Sequence, residues 1–222
     1  VGNINQLNWI QKNIELVKGP ILEIGSKQYD QESTVNYKEL FTGYEYLGID
    51  LQDGKNVDLV LDLTDDTSTI QKKFADQKFN TVICCSVLEH IFNIFQAGKN
   101  ISQLTHSGGV MFMSVPLVWK FHAYPNDFWR FTPEAIKRLF PEFDFLEDKS
   151  TISSNLPDDE KPLGKNPNEF TVKWTKVNKN TVQLTDTENV DSLYEVTQSM
   201  VIRPKYKYAM IPATINMVGV KK

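Results

Sequence analysis

Apolar residues Ile4, Leu7, Ile10, Ile14 and Val17 recur three or four positions apart, and Gly19-Pro20 follows them. That spacing predicts one face of a helix with a sharp stop. The next segments are short apolar runs. Ile21–Gly25, Tyr46–Asp50, Val57–Leu61, Phe79–Cys85 and Val110–Val115 each read as a buried strand. Helical patterns separate them: a weak one over 31–41, then 67–76, and a long one from Val87 to Leu104 stopped by Ser107-Gly108-Gly109. Thr132-Pro133-Glu134 predicts a further helix start, with Thr as cap and Pro in the first turn, running to about Phe140. Strands alternating with helices imply βαβ units, and near-continuous apolar strands imply a parallel sheet covered on both faces. In such sheets ligands bind beyond the carboxyl ends of the strands.

The texture changes after residue 150. Residues 151–169 carry Pro157, Pro162 and Pro167 and read as loop. Phe170, Val172 and Trp174 alternate with polar residues and, with Val182 and Leu184, predict a β-hairpin turning at Asn178-Lys179-Asn180. Ala209–Val220 predicts a final strand. We expect one domain over 1–222, with an insertion at about 155–205 that covers substrate or makes a homodimer contact.

Composition narrows the class. The 222 residues are 41% hydrophobic and 23% charged, which is globular rather than disordered. The net charge of −4 argues against a general nucleic-acid binder. Residues 1–150 carry 14 basic and 20 acidic side chains, and the remainder 10 and 8, so the charge balance changes sign where the texture does. Arg203, Lys205 and Lys207 interleave with Tyr206 and Tyr208, a pattern shared by single-strand binders and by lysine-guarded sheet edges. No apolar stretch approaches the length of a membrane span, and VGNINQLNWI lacks the charged-then-apolar pattern of a leader. The two cysteines, Cys84 and Cys85, are neighbours on a strand and point to opposite faces, so neither a disulfide framework nor a cysteine zinc site is expected. The expected location is a reducing cytoplasm.

The strand ends hold the candidate chemistry. Gly25 ends the first strand, but Gly25-Ser26-Lys27-Gln28-Tyr29 has one glycine where a dinucleotide turn needs three. Asp50 ends the second, placed to accept from ribose hydroxyls. Asp62-Leu63 follows the third, where a carboxylate and an apolar side chain suit an adenine; an acidic helix cap with Asp65 and Asp66 gives the same pattern.

Taken in order, ILEIGS, YLGIDL, Asp62-Leu63, FNTVICCSVLEHI and SGGVMFMSVP resemble the class I S-adenosylmethionine-dependent methyltransferases. The likeness spans about residues 18–150 and the last strand. Phe121–Glu134, FHAYPNDFWRFTPE, is similar to a signature of one bacterial branch associated with small-molecule or glycan methylation. The resemblance implies an α/β, Rossmann-like sheet of seven strands, mostly parallel with the last antiparallel, and helices on both faces. It implies S-adenosylmethionine as cofactor and direct methyl transfer to a small-molecule acceptor. Glu23 and Gly25 would lie by the methionine part, Asp50 would hold the ribose, Asp62 and Leu63 would flank the adenine, Cys85 and Ser86 would line the fourth strand end, and Ser26 and Leu51 would complete the cofactor-binding set. Lys27 stands where the family has a second glycine, facing either the cofactor carboxylate or water.

Because the sulfonium is already an activated leaving group, the protein's task is alignment, with a base only for a hydroxyl or ammonium acceptor. The segment after the fifth strand, 116–131, should overhang the methyl group. In it His122 is a candidate base oriented by Asp127, and Tyr124, Trp129 and Arg130 are candidate substrate contacts. The alternative is that His122 and Asp127 shape the loop, Trp129 anchors it and Arg130 pairs with a structural acid. Glu89 and His90 face either the cofactor or the protein, and His106 is expected at the surface. Three histidines without ligand spacing give no expected metal site. The rival functions are a methyltransferase-fold scaffold module and a nicotinamide oxidoreductase, the latter disfavoured by the missing glycines.

Overall fold

The computed structural model describes residues 4–29, 36–123, 125–154, 160–163 and 212–222, and the backbone alone of four further strands between 171 and 210. In chain order the elements are α1 (Ile4–Lys12), β1 (Ile21–Ile24), α2 (Tyr37–Leu40), β2 (Tyr46–Asp50), β3 (Leu59–Val60), α3 (Thr67–Lys73), β4 (Phe79–Cys85), α4 (Ile94–Leu104), β5 (Thr105–Val118), α5 (Pro133–Leu139), β6 (Phe143–Ser154), β7 (Glu160–Pro162), β8 (Thr171–Lys176), β9 (Thr181–Thr185), β10 (Asp191–Glu195), β11 (Tyr208–Met210) and β12 (Ala213–Lys221).

Eight strands form the main sheet in the order β3-β2-β1-β4-β5-β12-β6-β7. β1 pairs in parallel with β2 and β4, and β4 with β5, whereas β12 is antiparallel to both β5 and β6. The expected parallel sheet with an antiparallel final strand is present, with eight strands rather than seven. The extra strand, β7, comes from the segment read as loop and pairs with β6. β8, β9, β10 and β11 make a separate antiparallel sheet, in which β8 pairs with β9.

Alternation along the strands builds two cores. Leu22, Ile24, Val82, Cys84, Met111 and Met113 share one cluster with Ile70 of α3, Ala97 and Ile101 of α4 and Ile136 of α5. Ile21, Ile83, Cys85 and Phe112 share the other with Trp9 and Ile10 of α1 and Tyr37 of α2. Successive side chains of a strand point to opposite faces, so a run such as TVICC fills both layers. The rings of Trp9 and Phe112 pack edge to face with centroids 5.4 Å apart, fixing α1 on its side of the sheet.

Several boundaries differ from the sequence expectation. The stretch from Val87 to Leu104 is not one helix. A 3₁₀ turn spans Leu88–His90, and α4 restarts after Asn93, whose side chain accepts from the Gln96 amide. β6 has no counterpart in the sequence reading. A register shift between Asn216 and Val218 on β12 breaks its pairing, so the apolar residues of β6 do not keep a single alternation.

Strand order reverses between β1 and β4, because β2 and β3 continue to one side and β5 to the other. In a doubly wound sheet this is where a crevice opens beyond the strand tips.

Candidate functional site

A cavity of about 450 Å³ lies at that reversal, of the size that holds a drug-sized ligand. Ile24 and Gly25 from the β1 tip, Asp50 and Leu51 from β2, Asp62 and Leu63 after β3, and Ser86 after β4 all line it. So do His90 and His122 on the opposite wall. Of the residues expected at a cofactor, these strand-tip members converge. Glu23, Ser26 and Cys85 instead line a much smaller cavity that shares Ile24 and Gly25 with the first. Strand alternation explains part of the division: Ile49 of β2 sits on the layer of the larger cavity, and Cys85 of β4 on the other layer.

The turn after β1 is held by the tip of β2. The amides of Gly25 and Ser26 both donate to the Ile49 carbonyl, and the Lys27 amide donates to Asp50 Oδ2 at 3.2 Å. Gly25 has φ +76°, and a Cβ there would stand 2.3 Å from Val87 Cγ2. Glycine is therefore required so that the β1 and β4 tips can approach each other. On the β4 side Ser86 has φ +56°, a strained value for a non-glycine residue. Gln6 of α1 donates to Ser86 Oγ and Ser114 Oγ, and Ser114 donates to Asn216, so a buried polar chain ties α1, β5 and β12 to the cavity floor. Lys27 reaches two residues of the cavity lining. Its ammonium donates to Gln52 and lies 4.9 Å from the Tyr29 ring centre.

The carboxylates differ in environment. Asp50 also accepts from the Gln52 amide, and Asp62 accepts from the Thr64 amide and hydroxyl. These bonds fix both carboxylates at the cavity edge. Burial lifts the Glu23 carboxyl to about 7, against the opposing hydrogen bond it accepts from Tyr46. Burial also pushes the Cys85 thiol up to about 12 and the Cys84 thiol well up, so neither is a thiolate near neutrality.

The facing wall is the 3₁₀ turn after β4 together with the segment between β5 and α5. Asp127 is its keystone, with a side chain only 1% exposed. Arg130 donates to both of its oxygens, at 2.6 and 2.8 Å, and the His122 amide donates to Oδ2 at 2.7 Å. The guanidinium holds the Asp127 carboxyl well below the usual range and is itself raised. Arg130 also donates to the carbonyls of Trp119, Lys120 and Trp129, which places it in the loop framework. The Trp129 indole donates to the Ile91 carbonyl and its rings pack on the core, the geometry of an anchor. Tyr124 lies outside the described residues. The exposed His106 bonds to the Ser107 carbonyl next to it in the chain.

One grouping was not expected from the sequence. Glu89, His90 and His122 bring one donor atom each within 4.8 Å of one another. Glu89 is 1% exposed, and burial lifts its carboxyl to about 7. Burial lowers the His90 imidazole, against the raising effect of the Asn126 carbonyl. Adjacency of Glu89 and His90 was visible in the chain; the arrival of His122, 32 positions later, depends on the Asp127–Arg130 clamp.

No protein-family model and no curated protein matches the sequence. Solved structures do resemble it. An S-adenosylmethionine-dependent methyltransferase from Archaeoglobus fulgidus superposes over 98% of this chain and 93% of its own, with TM-score 0.56 and 14% identity. A 1,6-didemethyltoxoflavin-N1-methyltransferase of Burkholderia thailandensis, solved with S-adenosylhomocysteine, superposes over 99% and 77%, with TM-score 0.51 and 10% identity. The chain therefore has the α/β, Rossmann-like fold of the class I methyltransferases. Among the described residues, no helix is long and apolar enough to cross a membrane.

Proposed function

We propose that this protein transfers a methyl group from S-adenosylmethionine to a small-molecule or glycan-type acceptor. The observation that carries the proposal is the cavity at the strand-order reversal, where Asp50 and Asp62 are fixed along one edge between apolar surfaces. The residues present fit the cofactor. Asp50 suits a ribose diol, Leu51, Leu61 and Leu63 offer apolar surface to a purine, and Asp62 suits its exocyclic amine. A single glycine in the β1 turn suits a cofactor without a pyrophosphate.

When bound, S-adenosylmethionine supplies a methyl group on a positively charged sulfur, with a neutral thioether as leaving group. The chain's residues supply position and dryness. Gly25 and Val87 bring the β1 and β4 tips together, the apolar lining excludes water, and two nearby carboxylates favour a cation. His122 stands on the acceptor side with Nδ1 3.3 Å from Asp127 Oδ2. In that orientation Asp127 favours a proton on Nδ1 and leaves Nε2 to take one from an acceptor hydroxyl or ammonium.

Equilibrium dialysis with labelled S-adenosylmethionine tests the proposal. Micromolar binding is expected, competed by S-adenosylhomocysteine and not by NADH. Asp50→Ala should weaken it by ~5- to 150-fold, the loss of hydrogen bonds to a charged group. Absence of binding, or displacement by NADH, overturns the proposal. Binding without transfer to any of a panel of hydroxyl, amine and glycan acceptors favours a scaffold module instead.

A further inference from the structure

We propose that Glu89, His90 and His122 form a site for a borderline divalent transition-metal cation, of which Zn²⁺ is representative, on the wall of the cavity opposite the strand tips. The first support is the donor set. Two imidazoles and one carboxylate, each with one donor atom within 4.8 Å of the others, form a grouping that such cations take with further positions left open. His90 Nε2 stands 3.8 Å from Glu89 Oε1. Ligands around one tetrahedral ion at ~2.0–2.1 Å lie about 3.3 Å apart, so modest side-chain rotation closes the set.

The second support is the state of the carboxylate. Glu89 is almost wholly buried, yet its Oε2 has no hydrogen-bond partner among the described residues. A buried carboxylate oxygen without a donor is costly, and a cation beside it removes the cost.

The third support lies behind the histidines. His90 Nδ1 is 2.5 Å from the Asn126 carbonyl oxygen, which accepts its proton. His122 Nδ1 faces Asp127 Oδ2 and the Lys120 carbonyl oxygen, both at 3.3 Å. Oxygen acceptors at Nδ1 fix the tautomer whose Nε2 carries the lone pair, the arrangement found behind metal-bound histidines. Arg130 grips Asp127 on both oxygens and keeps it in that outer role.

A cation on His122 Nε2 takes the lone pair that a general base would use, so the metal-bound site and the base are exclusive states of that side chain, and cation binding is tested without turnover. The metal-free 222-residue protein is titrated calorimetrically with Zn²⁺, and with Co²⁺ followed by its visible absorption. The expected result is one Zn²⁺ per chain at micromolar or tighter Kd, and a Co²⁺ spectrum of a four- or five-coordinate nitrogen–oxygen site. His122→Ala and Glu89→Gln should each weaken binding at least tenfold, while His106→Ala leaves it unchanged. Circular dichroism checks folding, and His122→Asn serves where Glu89→Gln does not fold. No stoichiometric binding overturns the proposal, as does binding unchanged in the His122 variants. Titration of S-adenosylhomocysteine in the same samples reports separately on the cofactor site, so the two readings fail independently.

Discussion

The two walls of the cavity are made from different kinds of sequence. The strand-tip wall takes Ile24-Gly25, Asp50-Leu51 and Asp62-Leu63 from the ends of three consecutive strands, each placed by the strand before it. The loop wall takes His90 from a 3₁₀ turn and His122 from a segment with no regular structure. The first wall is a by-product of the sheet. The second exists because a buried aspartate is clamped by an arginine three residues on. Backbone order positions one set of groups, and side-chain electrostatics positions the other.

The largest expected effect lies on the strand-tip wall. Gly25→Ala combines positive φ with a Cβ 2.3 Å from Val87 Cγ2. It should cost about 2–5 kcal/mol of folding stability, measured by urea denaturation. Gly108 has the same φ of +76° but open space around it, so Gly108→Ala should cost only about 1 kcal/mol. Equal losses at the two sites would show that the strand tips need no close approach.

Behind the same wall, Glu23 gives a pH signature. Its carboxyl is lifted from 4.5 to about 7 in the folded state. The folded protein thus holds the proton more tightly, and the stability this gives is complete below pH ~4.5 and lost as pH rises through about 7. Glu23→Gln should remove that slope and be more stable than the parent at pH 8 by up to about 3 kcal/mol. A parent and variant with parallel stability–pH curves would contradict the burial of a carboxyl there.

On the loop wall, Asp127→Asn should cost about 2 kcal/mol, below the figure for a fully buried pair because Arg130 keeps 29% of its side-chain surface in water. Asp127 is depressed when folded, so its contribution is present above pH ~4 and shrinks as pH falls below that. The variant should also bind S-adenosylhomocysteine nearly as well as the parent while losing turnover. Equal loss of both would mean the two walls are one unit. The smallest effect belongs to Trp129→Phe, about 1 kcal/mol for the bond to the Ile91 carbonyl.

The same contrast sets what was legible in the chain. Tyr46–Asp50 and Phe79–Cys85 coincide with the strands read from their apolar runs, and their terminal residues fall where a parallel sheet puts its ligands. β6 was not legible, because its pairing crosses the irregularity at Asn216–Val218 and its outer positions are polar. The division of Ile49 from Glu23 and Cys85 follows from strand alternation, which the motif order does not display. The Glu89–His90–His122 grouping was illegible for a different reason. Local spacing finds ligands on one helix, whereas here the third member is brought in by a clamp built from Asp127 and Arg130. The predicted role of Tyr124, the 178–180 turn and residues 203–207 of the basic-aromatic pattern fall outside the described residues.

The most direct test of the central claim is a crystal structure of the protein soaked with S-adenosylhomocysteine. The account predicts its adenosine along residues 49–63, with the ribose hydroxyls on Asp50 and the sulfur turned toward His90 and His122. A nucleoside bound elsewhere, or a cavity that stays filled by solvent at millimolar ligand, would contradict it.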